Sequence, residues 1–372
     1  MKRYQDPGWS EKGAEGRGMS SSRIMRVVGM PGAEPSAEVE RYLDIEDARL
    51  RELADKAVAK STRRNYSADW DSFCGWCMDR GFAALPATPD TVARYLRWLI
   101  DRPAVVVNET VVRPNGSVAV RPRLRKPVKG ATLRRHLVSI GVAHRAAEYE
   151  DPTKSLFVKA VARGIRVERG SASTPKEAFG REALCAALEA LPHERLIDKR
   201  DRAIVLFGWS GAFRRSEIAA VDVEHIGREQ QGIDVLLPRS KTNQEGLHER
   251  VLIAFARDVR YCAIAVLDEW LRAAGITSGP VFRRVDRHGN VGERIAGAAV
   301  AAVTKRFAAA AGLDERLFAA HSLRSGWITT AAREDKHERD MMRHSRHKSL
   351  PVFRGYVRQA TKWNDHPGLD LL

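Results

Sequence analysis

His347-Lys-Ser-Leu-Pro-Val-Phe-Arg-Gly-Tyr356 is the stretch on which the reading of this chain turns. Tyr356 lies nine positions after His347 and is the only tyrosine beyond Tyr261. Upstream stand His321-Ser-Leu-Arg324, Ser240-Lys241-Thr242 and Gly211-Ala-Phe-Arg-Arg-Ser-Glu217. Two arginines, two histidines, a lysine and a tyrosine in this order suit one task. They can hold a phosphodiester, stabilise its transition state and attack it with a phenol oxygen.

Attack on a phosphodiester adds negative charge to the non-bridging oxygens. Arginine meets that charge with a planar, permanently charged fork. Arg214 and Arg324 each follow apolar or small residues, so a packed framework can present them. Lys241, in a polar turn, can protonate a leaving oxygen. His321 and His347 can donate to phosphate oxygens or carry protons near neutral pH. A phenol ionises near pH 10 and needs neighbouring cations to become a nucleophile. Taken singly, each residue has a plainer reading: a surface arginine, a hairpin lysine, an aromatic anchoring the last helix. Their combination outweighs those readings. His344 and His347 form a His-x-x-His pair without obvious further ligands, so no metal is expected.

The bulk composition agrees with a polyanionic partner. Lys and Arg number 63 against 47 acidic residues, a net charge of +16, and DNA rewards such an excess through counterion release. The 372 residues suggest two domains. No apolar run approaches a membrane span and no secretion signal opens the chain, so a cytoplasmic location and no membrane partner are expected. Cys74, Cys77, Cys185 and Cys262 do not form a disulfide framework. Cys74-Gly-Trp-Cys77 has redox or zinc half-site spacing, but Trp70, Phe73, Cys74 and Cys77 repeat as the buried stripe of a helix.

Residues 1–43 show no period and are expected to be disordered. A helical domain is expected over 44–166. Within it Thr88-Pro89 starts a helix whose apolar face is Val92, Tyr95, Leu96 and Leu99. A later helix turns Leu133, Leu137 and Ile140 inward and Arg134, Arg135 and Arg145 outward. An insertion at 103–129 reads as a β-hairpin with Asn115-Gly116 in its turn, followed by a basic run to Lys126. Residues 167–180 read as a linker. The second domain, 181–372, should be helical with a small antiparallel sheet from Gly232–Leu237 and Arg250–Ala254. Its later helices are expected near 261–274, 298–311 and after His321.

Arg214-x-Ser-Glu217, Lys241, His321-x-x-Arg324, His347 and Tyr356 together resemble the tyrosine recombinase (phage integrase) family. Ser61-Thr-Arg-Arg-Asn-Tyr66 with Trp70 and Phe73 is similar to that family's helical core-binding domain. The resemblance covers about Asp44 to Gln359. It implies a mainly α fold with a small sheet, arranged as a two-domain C-shaped clamp of Cre-like or Xer-like layout. It implies that Tyr356 attacks DNA to form a 3′-phosphotyrosyl bond and that exchange passes through a Holliday junction. Arg214, His321, Arg324 and His347 would hold the phosphate, Lys241 would protonate the leaving oxygen and Glu217 would support them. Arg63, Arg64, Lys126, Arg134 and Arg135 would touch DNA. No cofactor is implied. The partners would be double-stranded recombination sites and three further copies of the chain, which would be monomeric or weakly associated when free. Leu369, Leu371 and Leu372 would anchor a C-terminal tail on a neighbouring copy. A type IB topoisomerase and a non-catalytic DNA-binding regulator are the competing readings.

Overall fold

The computed structural model describes residues 49, 59–103, 105–112, 118–125, 128–169, 176–237 and 249–361. The chain divides into two compact units between residues 173 and 174. Lys126, Lys241, the Asn115-Gly116 turn, residues 1–43 and the tail leucines lie outside the described residues.

The first unit packs α1 (Lys60–Met78), α2 (Pro89–Asp101), α3 (Gly130–Ala146) and α4 (Leu156–Arg169). Thr88 caps α2: its hydroxyl accepts the Thr91 N–H at 3.2 Å, and Pro89 occupies a position where an N–H would have no partner. The stripe Val92, Tyr95, Leu96 and Leu99 is wholly buried. It meets Trp70, Phe73, Trp76 and Cys77 of α1 and Leu133 and Ile140 of α3. Each such side chain contributes roughly 1.5–3 kcal/mol on burial. Burial pushes the Cys77 thiol up to about 12, which makes it an unreactive core residue. Between α2 and α3 the insertion forms an antiparallel hairpin, β1 (Val105–Val112) with β2 (Val118–Arg125), in continuous register from Val105 opposite Arg125 to Val112 opposite Val118.

Two arginines expected to face outward are engaged at the surface of this unit. Arg135 makes a two-pronged bond to the buried Asp69, with Nε to Oδ2 at 2.6 Å and a terminal nitrogen to Oδ1 at 2.9 Å. Arg145 pairs with Asp151. Helical periodicity places both beside solvent but carries no trace of an acidic partner 66 residues away in the case of Asp69.

The second unit begins with α5 (Arg181–Ala190), α6 (Leu196–Ser210) and the short α7 (Arg215–Ala220). An antiparallel sheet follows, in the order β3 (Ile226–Glu229), β4 (Gly232–Leu237), β5 (Glu249–Ala254). Next come α8 (Ala263–Ala273), a second hairpin of β6 (Arg283–Val285) and β7 (Val291–Arg294), α9 (Gly297–Ala310), α10 (His321–Arg333), α11 (Glu338–Ser345) and α12 (Leu350–Ala360). Strand β3 and the β6–β7 hairpin were not expected; they are short and polar, with little apolar alternation to announce them. The main core gathers Ile204, Phe207, Phe213, Ile218, Trp270, Phe307 and Leu323. A smaller cluster of Ile328, Met341 and Phe353 ties α10, α11 and α12 together, with Tyr356 and Val357 packed on it. Among the described residues no helix is long and apolar enough to cross a membrane.

Candidate active site

Helix α6 ends at Gly211, and the chain turns sharply through Ala212, whose φ of 46° is left-handed. Arg214 then precedes α7, and Glu217 in its first turn accepts the Arg214 N–H at 2.8 Å. The same carboxylate takes the Arg214 guanidinium at 2.5 Å. The local turn therefore aims Arg214 and holds it.

Helix α10 supplies His321 and Arg324 on one side. Gly326 lets this helix press against the segment before α5: a Cβ there would stand 1.9 Å from the Phe179 carbonyl oxygen. Phe179 donates its N–H to the Ser322 carbonyl at 2.9 Å in the same contact. Arg324 is 1% exposed and donates to the Ala212 carbonyl at 2.8 Å. Burial, then Arg214 and Arg346, pull its pKa down to about 9, so it stays charged near neutral pH.

His347 follows α11. Its Nδ1 lies 3.3 Å from an Arg324 nitrogen and 2.8 Å from the Ser345 hydroxyl. Arginine can only donate, so the Arg324 contact is made in the tautomer that carries its proton on Nε2; the Ser345 hydroxyl, which donates to the Met341 carbonyl at 2.7 Å, accepts from Nδ1 in the other tautomer. Burial and the adjacent Arg324 and Arg214 push His347 down to about 3, keeping the ring neutral. Helix α12 docks through Phe353 and presents Tyr356 between the two histidines. Tyr356 Oη is 2.8 Å from His321 Nε2, and its ring centre is 5.7 Å from that of His347. His321 is lowered by burial of part of its ring, then by Arg324 and Arg214. It is therefore neutral and can accept the phenol proton. Burial raises the Tyr356 phenol, and Arg324 partly offsets this.

Arg214, Glu217, His321, Arg324, His347 and Tyr356 thus form one connected network. His344 stands apart from His347: its Nε2 donates to the Ser210 carbonyl at 2.8 Å and its ring stacks on Trp327. Among the described residues no cluster of metal-binding side chains occurs. Sequence reasoning passed over Arg346, which is only 7% exposed and sits at φ 56°. A non-glycine residue in that conformation costs about 1–2 kcal/mol. In so basic a chain, nothing in the sequence marks this arginine as buried.

The expected DNA-contacting residues lie in the other unit. Arg64 and Arg134 are exposed and Arg63 is partly so. Arg134 rims a groove of about 180 Å³ together with Lys159 and Arg166. Arg135 is tied to Asp69.

The chain is 32% identical over 322 residues to an integrase/recombinase XerD homolog of Selenomonas ruminantium, covering 86% of this chain and 87% of that protein. No protein-family profile matches. Lambda integrase residues 75–356 bound to DNA superpose with a TM-score of 0.52 at 16% identity, over 86% of this chain and 96% of that one. A lambda integrase tetramer bound to a Holliday junction gives 0.50 at 16% identity, over 90% and 80%. These likenesses establish the fold, and the curated relative establishes the kinship: the chain belongs to the tyrosine recombinase (integrase) family, whose members cut and rejoin DNA at specific sites.

Proposed function

We propose that this chain recombines DNA through a covalent bond to Tyr356. The observation that carries the reading is the 2.8 Å contact between Tyr356 Oη and His321 Nε2, set beside two buried or half-buried guanidiniums. The phenol proton passes to His321 Nε2 as Oη attacks phosphorus. The P–Oη bond forms and the P–O5′ bond breaks, leaving a 3′-phosphotyrosyl and a 5′ hydroxyl. Lys241 supplies the proton to the departing oxygen. Arg214 and Arg324 donate to the non-bridging oxygens, and the Nε2 proton of His347 joins them. Charge that develops only in the transition state is met by donors already fixed in place, so little reorganisation is needed. Energy stored in the new ester allows rejoining to a partner duplex without a nucleotide or metal.

The first unit supplies basic side chains, Arg63, Arg64, Lys126 and Arg134 among them, for the DNA backbone. A tetramer on two sites, as the lambda relative forms on a Holliday junction, is the assembly this reading entails. The test uses a nicked half-site duplex carrying the chain's cognate recombination sequence, incubated with protein and run on a denaturing gel. Wild type gives a covalent adduct and Tyr356→Phe gives none. An adduct that persists in Tyr356→Phe overturns the assignment.

A further inference from the structure

We propose that Arg346 is a positioning residue of the cleavage site: it neutralises Glu217 so that Arg214 keeps its charge for the phosphate, and it pins His347. The proposal rests on the cleavage reading given above.

Arg346 is almost fully enclosed, yet its guanidinium reaches four acceptors on two segments. One terminal nitrogen donates to Glu217 Oε2 at 2.7 Å and to the Ala212 carbonyl at 3.2 Å. The other donates to the His344 carbonyl at 2.9 Å and the Gly211 carbonyl at 3.2 Å. The guanidinium also lies 5.2 Å from the centre of the Phe213 ring. Its own carbonyl receives Arg214 at 3.5 Å. The two segments it joins are the turn that aims Arg214 and the loop that carries His347.

Two of those contacts are shared with the reacting residues. Glu217 is held by both Arg214 and Arg346. Ala212 offers one carbonyl to both Arg324 and Arg346. A carboxylate this buried beside Arg214 alone would cancel its charge. With Arg346 present, Arg214 and Arg346 both pair with Glu217, Arg324 stands beside them on the Ala212 carbonyl, and the three guanidiniums against one carboxylate leave two net positive charges. A phosphodiester gains a second negative charge as the nucleophile adds, so this surplus matches the transition state better than the ground state. The left-handed backbone is a second, independent sign. Glycine would hold that conformation without strain, so an arginine there is maintained by what its side chain does.

The test compares single-turnover cleavage of the nicked half-site at saturating protein with half-site affinity by gel shift. Arg346→Gly relieves the backbone and deletes the guanidinium. It should cleave about 100-fold more slowly while its Kd stays within about threefold of wild type. Arg346→Lys keeps a charge but not the fork, and should recover part of the rate. The Glu217→Gln/Arg346→Gly double variant removes the uncompensated carboxylate and should cleave about tenfold faster than Arg346→Gly. Arg346→Gly cleaving within about threefold of wild type overturns the proposal. So does a double variant no faster than the single one, or a loss of folding and DNA binding in both, which would make Arg346 a fold residue only. Failure of wild type itself to form an adduct would instead overturn the cleavage reading beneath it.

Discussion

Tyr356 on α12 and His321 on α10 meet at 2.8 Å, phenol oxygen to Nε2, within one chain. The docking that brings them together is apolar, through Phe353 and Ile328, so the pairing is set by packing rather than by charge. Transfer of the phenol proton across this contact needs a neutral imidazole, because an imidazolium has no lone pair to accept it.

Cleavage should therefore have an acid limb set by His321. Its pKa is lowered from the ordinary 6.5, so the ring is neutral above that value and protonates only as pH falls below it. His347, at about 3, stays out of this window. Single-turnover rates should be level from about pH 6.5 to 8 and decline at lower pH. His321→Gln should cut the rate by about 10²–10³ and flatten the limb. A limb unchanged in that variant would place the titration elsewhere.

Stability should fall on the same side of neutrality. His344 and His347 have folded values of about 4 and about 3. Between 6.5 and those values the unfolded chain binds protons that the folded chain refuses, so acid favours unfolding. Burial alone would raise Glu217, but Arg346 and Arg214 outweigh it and lower the group. Its contribution is present above the ordinary carboxylate value and is lost as pH falls through the folded one. The melting temperature should hold near pH 7–8 and drop steadily from pH 6 to 4. His344→Gln should reduce that drop. Equal melting at pH 7.5 and 5 would contradict the picture.

The helical stripes were legible because burial repeats with the helix: Trp70, Phe73 and Cys77 and then Val92, Tyr95 and Leu99 are where periodicity put them. The network around Tyr356 was legible as a set of spacings. Its joinery was not. Arg346 acts through burial and a left-handed φ, and its partners Gly211, Ala212 and Glu217 lie more than a hundred positions upstream. The bond of Arg135 to Asp69 stayed hidden for the converse reason, since an exposed helix position says nothing of a distant carboxylate. Strand β3 stayed hidden because only its pairing with β4, Ile226 opposite Val235 through Glu229 opposite Gly232, makes it a strand.

Gly326 and Gly164 should respond oppositely to alanine. A Cβ on Gly326 would strike the Phe179 carbonyl at 1.9 Å, and backbone cannot yield cheaply. Gly326→Ala should destabilise by about 3 kcal/mol and, by displacing α10, slow cleavage. Gly164 lies inside α4 with open space around it, so Gly164→Ala should stabilise by about 1 kcal/mol. Denaturant unfolding of both variants checks this; equal effects would mean that α10 does not press on Phe179 as described.

Arg134 and Arg135 are neighbours in sequence whose substitution should fail in different ways. Arg134 is exposed beside Lys159 and Arg166, where a phosphate can reach it. Removing one phosphate contact lowers the slope of log K against log salt by about 0.9. Arg134→Ala should show that change with little loss of stability, and Arg64→Ala should do the same. Arg135 instead satisfies Asp69, which is 4% exposed and lies 3.5 Å from His136. Arg135→Ala strands that carboxylate, and since Arg135 itself is half-exposed the cost should be about 2 kcal/mol rather than the larger loss of a fully buried pair. Asp69→Asn added to Arg135→Ala should recover part of it. Half-site binding at several salt concentrations, measured beside urea unfolding, separates the two residues. A reduced salt slope in Arg135→Ala with unchanged stability would show that its guanidinium leaves Asp69 for DNA.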